Sequence, residues 1–217
     1  MNQIKRISVE LQSLGVRLPI YYKGRKGGAG PSEGCIIILK DHYISVPTTA
    51  WYVKDSPYKV IKDTDHYLLK KFEEDVERID FPNRPLYYDQ KDPDGIALYK
   101  IGLLHGRDCF ASTVFQRCIY WGTNLQCRFC GIELSLLQRN TIEQKTPSQL
   151  AFAASKAKLL DGVSHVTLTT GAKQDEKETV RYLCRCTEAI KEETLLPIHV
   201  QIMPLRDLNL LKELKNC

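Results

Sequence analysis

From residue 146 onward the apolar positions switch between a helical and a strand-like period. Leu150, Ala153, Ala154, Ala157 and Leu160 recur at three- and four-residue steps, which predicts a helix across 146–162. Thr146 is its N-cap, Pro147 is tolerated at the first helical position, and Gly162 stops it. Residues 163–170 then read as a buried strand ending at Gly171, 176–193 as a second helix, 197–203 as a third strand and 207–214 as a last helix. With the apolar run 111–118 as the first strand, the order strand, helix, strand, helix, strand, helix is that of parallel βαβ units.

Upstream the pattern is less regular. Ile4, Ile7, Leu11 and Leu14 share one face of a short amphipathic helix stopped by Gly15. Residues 36–39 and 43–47 predict a hairpin turning at 40–42, and 51–53 a third strand. Leu68, Phe72 and Val76 predict a charged helix over 67–79, and 96–104 reads as a strand. Pro82, Pro85 and the turn at 92–95 mark a linker. The glycine-rich stretch 25–34 lacks the Gly-Lys-Ser/Thr ending and following helix of a phosphate-binding loop, so it reads as a flexible hairpin or a lid over a substrate. The fold expected is α/β: a small α+β region over 1–100, then the first three βα units of an incomplete TIM-type (β/α) barrel over 101–217.

Composition narrows the function classes. A chain of 217 residues with 43% hydrophobic content is globular. Its net charge of +5 comes from basic residues scattered among acids, with no basic run interleaved with aromatics, so no nucleic-acid partner is expected. No apolar stretch is long enough for a membrane span or signal peptide, and a cytoplasmic protein is expected. Eight cysteines in a reducing compartment then argue for ligands or buried thiols over disulfides.

Three of the eight carry the chemistry. Cys118, Cys127 and Cys130 follow the first predicted strand with spacing C-x8-C-x2-C. Three thiolates on one loop at a strand end read as a metal or cluster site, and an iron-sulfur cube held by three would leave one iron without a protein ligand. The candidates for a fourth ligand, Cys109 and His105, lie before the strand. Cys184 and Cys186 would point about 200° apart on their helix and read as packing residues. Cys35 and Cys217 carry no partner spacing. His165 and His199 read as strand histidines, with His199 and Gln201 on one strand face. Glu133 reads as a solvated or ion-paired residue, and no residue is singled out as a catalytic acid, base or nucleophile.

The segment Cys127-Arg-Phe-Cys130, followed by Gly131-Ile-Glu133, resembles the second half of the cluster loop of radical S-adenosylmethionine enzymes. Their usual C-x3-C-x2-C spacing would place the first cysteine at Thr123, so in this chain Cys118 would have to serve from farther back. Residues 169–171 stand where that superfamily holds the methionine amino group, without its acidic residue. The glycine-rich segment and β-rich leader resemble a biotin-synthase-like group whose genes accompany nitrilases.

The resemblance implies a [4Fe-4S] cluster on Cys118, Cys127 and Cys130, with its fourth iron chelated by S-adenosyl-L-methionine. It further implies reductive cleavage to a 5'-deoxyadenosyl radical that takes hydrogen from a small-molecule substrate. Phe129 would pack beside the adenine, and Thr169, Thr170 and Gly171 would meet the methionine end. An electron donor such as ferredoxin or flavodoxin is implied as partner. A full (β/α)8 barrel takes about 250 residues, more than follow Arg107, so the chain is expected to be truncated or split, with a second chain completing the barrel. Two alternatives stand beside this: an inactive remnant, or a non-catalytic binding module with a closed zinc shell of Cys118, Cys127, Cys130 and either Cys109 or His105.

Overall fold

The computed structural model describes residues 3–19, 34–48, 52–127 and 130–217. The glycine-rich stretch up to residue 33, Trp51 and Phe129 lie outside the described residues. The chain divides into two compact units, with the division between Arg84 and Pro85. This lies upstream of the boundary expected at residue 100, because Tyr87, Tyr88, Leu98 and Ile101 are buried in the second unit's core.

In the first unit, α1 (Gln3–Leu14) ends where Gly15 adopts φ +73, a left-handed stop. Strands β1 (Cys35–Leu39) and β2 (His42–Val46) form the expected hairpin. Strands β3 (Tyr58–Asp63), β4 (His66–Lys71) and β5 (Glu74–Asp80) complete an antiparallel sheet of order β2-β1-β5-β4-β3. Its core gathers Leu11, Ile37, Leu39, Val60, Leu69 and Ile79.

The helix expected over 67–79 is instead the β4–β5 hairpin. The charges that mimic an i,i+4 helical ladder pair across strands, with Lys70 opposite Asp75 (2.7 Å) and Lys71 opposite Glu74. Phe72, assigned to the apolar helix face, sits in the turn at φ +53 and is exposed. Near the third strand expected at 51–53, residues Val53–Asp55 form a single 3-10 turn.

The second unit begins with two 3-10 turns, Leu86–Asp89 and Leu98–Lys100, the latter replacing most of the strand expected over 96–104. Asp161 accepts hydrogen bonds from the backbone N–H groups of Leu86 (2.7 Å) and Tyr87 (2.9 Å) and so holds the first turn. Strand β6 (Leu103–His105) pairs antiparallel with β7 (Cys109–Thr113). A short helix α2 (Ile132–Leu137) follows the cysteine loop. Then come α3 (Pro147–Asp161), β8 (His165–Thr169), α4 (Glu176–Thr194), β9 (Ile198–Gln201) and α5 (Asn209–Asn216).

The sheet order is β6-β7-β8-β9, with β7, β8 and β9 mutually parallel and each followed by a helix. The sheet is open: no barrel closes among the described residues. Phe110, Val166 and Leu168 point from one sheet face into a core shared with Leu150, Ala154, Leu183 and Ile190 of α3 and α4. α3 starts at a capping box of Thr146 and Gln149 and stops at Gly162 in the left-handed conformation, as expected. No helix of the described residues is long and apolar enough to cross a membrane.

Candidate cysteine site at the strand ends

Parallel pairing puts the ends of β7 and β8 at one edge, and their backbones stay paired beyond the strands. Val114 N–H donates to Thr169 O (2.8 Å), Gly171 N–H to Phe115 O (2.8 Å) and Ile119 N–H to Ala172 O (3.0 Å). On the other flank Gln116 N–H donates to Glu143 O (2.7 Å) and Lys145 N–H to Val114 O (3.0 Å). Cys118 therefore leaves a rigid, three-segment base. The loop then folds through consecutive tight turns: Trp121 N–H to Cys118 O (3.0 Å), Thr123 N–H to Tyr120 O (3.1 Å), Gln126 N–H to Thr123 O (3.2 Å) and Cys130 N–H to Cys127 O (3.2 Å).

These turns bring the three predicted thiols to one cavity of about 370 Å3, walled also by Tyr120, Trp121, Leu125, Ile132 and Met203. Cys118 and Cys130 are half-buried and Cys127 is exposed. Burial pushes the Cys130 thiol above its usual range, the Ile132 backbone N–H opposes this, and the neighbouring Cys127 and Cys118 push it further up. Among the described residues no three His, Cys, Asp or Glu side chains stand as a ready-made metal shell.

The supporting polar groups are specific. Glu133 accepts from Cys118 N–H (3.3 Å) and meets Arg117 (3.6 Å), which also pairs with Glu143 (2.8 Å); Glu133 is thus an ion-paired loop anchor, in line with the sequence reading. Beneath the loop, buried Gln116 donates from Nε2 to Ile132 O (2.8 Å) and accepts at Oε1 from Lys145 Nζ (2.9 Å). Lys145 is fully buried, and desolvation alone lowers its pKa to about 7. No sequence pattern marks this pair, because a lone lysine just before an N-cap reads as surface.

Thr169, Thr170 and Gly171 lie beside the base of the loop without lining its cavity. Thr169 Oγ1 meets Thr113 Oγ1 (2.7 Å), and Thr170 Oγ1 donates to Gly171 O (3.0 Å). A second cavity of about 460 Å3 shares Tyr120, Met203 and Pro204 with the first and opens at the start of α4. Its charged walls are Lys173, Lys177 and Arg206 against Asp175, Glu176 and Asp207. Lys173 is itself held by Glu178 (2.8 Å) and lies over the rings of Phe115 and Tyr182.

The two candidate fourth ligands are not brought to the loop. Cys109 opens β7 opposite His165, is paired with His105 across β6, and meets Thr167 Oγ1 at 3.4 Å. Both residues therefore sit at the far end of β7 from the cysteine loop, about 13 Å of strand away at the usual rise. His165 is half-buried beside Ser164 Oγ (3.0 Å) at the start of β8, while His199 and Gln201 share an exposed face of β9.

Two cysteine expectations are corrected. Cys184 on α4 and Cys217 form a disulfide, with Cα atoms 5.3 Å apart, where sequence reasoning had a packing residue and a cysteine without partner. The helical angle between Cys184 and Cys186 separates them from each other but leaves Cys184 free to meet a residue distant in the chain. Cys186 is the expected core thiol, its pKa pushed up to about 12 by burial. No family model, curated protein or solved structure matches this chain.

Proposed function

We propose that this chain is a radical S-adenosylmethionine enzyme, or a piece of one, in which Cys118, Cys127 and Cys130 hold a [4Fe-4S] cluster. The observation that carries the reading is the convergence of those three thiols on one cavity at the end of parallel strands, with Cys109 and His105 at the opposite end. In this reading β7, β8 and β9 are the first three βα units of a TIM-type barrel left open beyond β9.

The donor set fits the group. Three thiolates match three irons and leave the fourth without a protein ligand, and the largely apolar wall lowers the local dielectric. When bound, the cluster supplies the electron that cleaves the sulfonium of S-adenosylmethionine. The protein's part is to bind, orient and exclude water. Tyr120 and Trp121 wall the cavity beside the thiols, while Glu133 and Gln116 fix the two ends of the loop through Cys118 N–H and Ile132 O. The adjoining cavity, with three cationic and three anionic side chains at its wall, suits a zwitterion such as the methionine end of the cofactor. The substrate is a small molecule of unassigned class, and a ferredoxin- or flavodoxin-like protein is the proposed electron donor.

The test is anaerobic reconstitution with iron and sulfide, followed by metal analysis and EPR of the dithionite-reduced protein. About four irons per chain and a spectrum that shifts when S-adenosylmethionine is added are expected. One tightly held zinc and no cluster would overturn the reading in favour of a closed structural site.

A further inference from the structure

The Cys184–Cys217 pair lies apart from the cysteine loop, and the span it closes, a sequence separation of 33, contains β9, α5 and residues 203–207. Residues 203–207 form a wall of the charged cavity, and Met203 and Pro204 also wall the cysteine cavity. Whatever fixes α5 therefore restrains the C-terminal end of that wall, alongside the Arg206 N–H bond to Glu176 Oε2 (3.0 Å).

Noncovalent anchoring of α5 is slight. The helix has 8 residues, of which only Leu210 is buried, while Leu211 is 45% exposed and Leu208, just before it, 67%. A helix of this length does not hold itself in water. Under it lies a cavity of about 320 Å3 lined by Thr187, Ile198, Val200, Leu211 and Leu214, so its apolar face is incompletely packed. Thr187 Oγ1, at the wall of that cavity, is buried without a hydrogen-bond partner among the described residues. Beyond Leu210, Leu214 packs partly buried against the core, Lys191 Nζ donates to Cys217 O (3.1 Å), and the Arg206 N–H donates to Glu176 Oε2 (3.0 Å). Both disulfide residues are half-exposed, within reach of an external thiol, whereas Cys35, Cys109 and Cys186 are buried.

We propose that Cys184 and Cys217 form a redox-active pair, and that its reduction by an external dithiol releases α5 and loosens the 203–207 wall of the two cavities. A dithiol thiolate attacks one sulfur, the S–S bond breaks, and the departing sulfur takes a proton. The second dithiol thiolate then displaces the protein sulfur from the mixed disulfide. Two electrons pass from the dithiol, which leaves as its own disulfide, to the protein, which gains two thiols. This inference goes beyond the proposed cluster chemistry and does not depend on it.

The test uses the full chain without iron. A non-reducing peptide map should show Cys184 joined to Cys217, and titration in dithiothreitol buffers should convert the pair to two alkylatable thiols. Hydrogen exchange of 203–216 should then accelerate about tenfold or more on reduction, with 147–161 of α3 in the same sample unchanged. C184S should show the fast exchange with or without dithiothreitol. Reduction of the parent chain gives the same readout should that variant fold poorly. An unlinked pair in the map, or exchange in 203–216 indifferent to reduction, would overturn the proposal.

Discussion

The α-carbon of Gly171 lies against the backbone of Arg117 so closely that a Cβ built on it would stand 1.7 Å from the Arg117 carbonyl oxygen. The constraint is steric and comes from the paired segments beyond β7 and β8, where Gly171 N–H is also bonded to Phe115 O (2.8 Å). Arg117 directly precedes Cys118, so the space left by the missing side chain sets where the cysteine loop departs.

G171A must therefore move backbone, at a cost of about 1–3 kcal/mol by analogy with overpacked cores. Urea denaturation should show that loss. The same variant should take up less iron, because Cys118 shifts with Arg117. Full stability together with full iron uptake would mean the close approach is not needed.

Lys145 gives a pH dependence with a definite sign. Its folded pKa is about 7, depressed from 10.5 by desolvation, and among the described residues no charged partner compensates it. Between these values the unfolded chain binds a proton that the folded chain does not, so stability rises with pH across that window. Below about pH 7 both states are charged and this contribution is flat, with the burial penalty fully present. Parent protein should show a urea midpoint that climbs from about pH 7 to 9.5. K145M should lack the climb and be the more stable of the two at pH 6, by a few kcal/mol at most, less about 1 kcal/mol for the lost Gln116 bond. A flat parental midpoint across the window would contradict a buried, neutralisable lysine.

Asp161 stands in the last turn of α3, where a negative charge costs about 0.3–1 kcal/mol against the helix dipole. Its two bonds to the N–H groups of Leu86 and Tyr87 outweigh that, since charged hydrogen bonds are worth about 1.5–3 kcal/mol each. D161A should lower the thermal midpoint and speed exchange at 86–89. A raised midpoint would show that the dipole term wins.

What could be read from the sequence follows how locally each feature is encoded. α3 is written in adjacent residues: Thr146, Pro147 and Gln149 start it and Gly162 ends it, so its bounds are nearly those expected. The second and third parallel strands were likewise legible from apolar runs, whereas the first, expected over 111–118, lies at Cys109–Thr113, and residues 114–118 already belong to the segment leading into the cysteine loop. The β4–β5 hairpin was not legible, because its charges fit two patterns: Lys70 stands at helical spacing from Glu74 yet pairs across the strands with Asp75, and Leu69 is the one buried residue of β4. The Cys184–Cys217 bond and the Lys145–Gln116 contact join residues far apart in the chain, with sequence separations of 33 and 29, and neither leaves a periodic trace.

Ligand counting separates the proposed cluster from a zinc shell at the level of single residues. C118S, C127S and C130S each remove one thiolate from the cavity the three share, and each should cut reconstituted iron well below about four per chain. C109S should not, because Cys109 is buried at the start of β7 and bonded to Thr167 Oγ1. The comparison controls for folding, since Cys109 is the more buried thiol and its loss is the greater insult to the core. Cys118 is the informative member: its distance of nine positions from Cys127 departs from the superfamily's spacing, and only the loop's consecutive turns bring it to the cavity. If C118S kept full iron while C127S and C130S lost it, the first ligand would have to come from elsewhere and the assignment of Cys118 would fall. If C109S lost iron as completely as C118S, the metal would span both ends of β7, which the strand between them does not permit in one fold, and the structure of the loop itself would need revision.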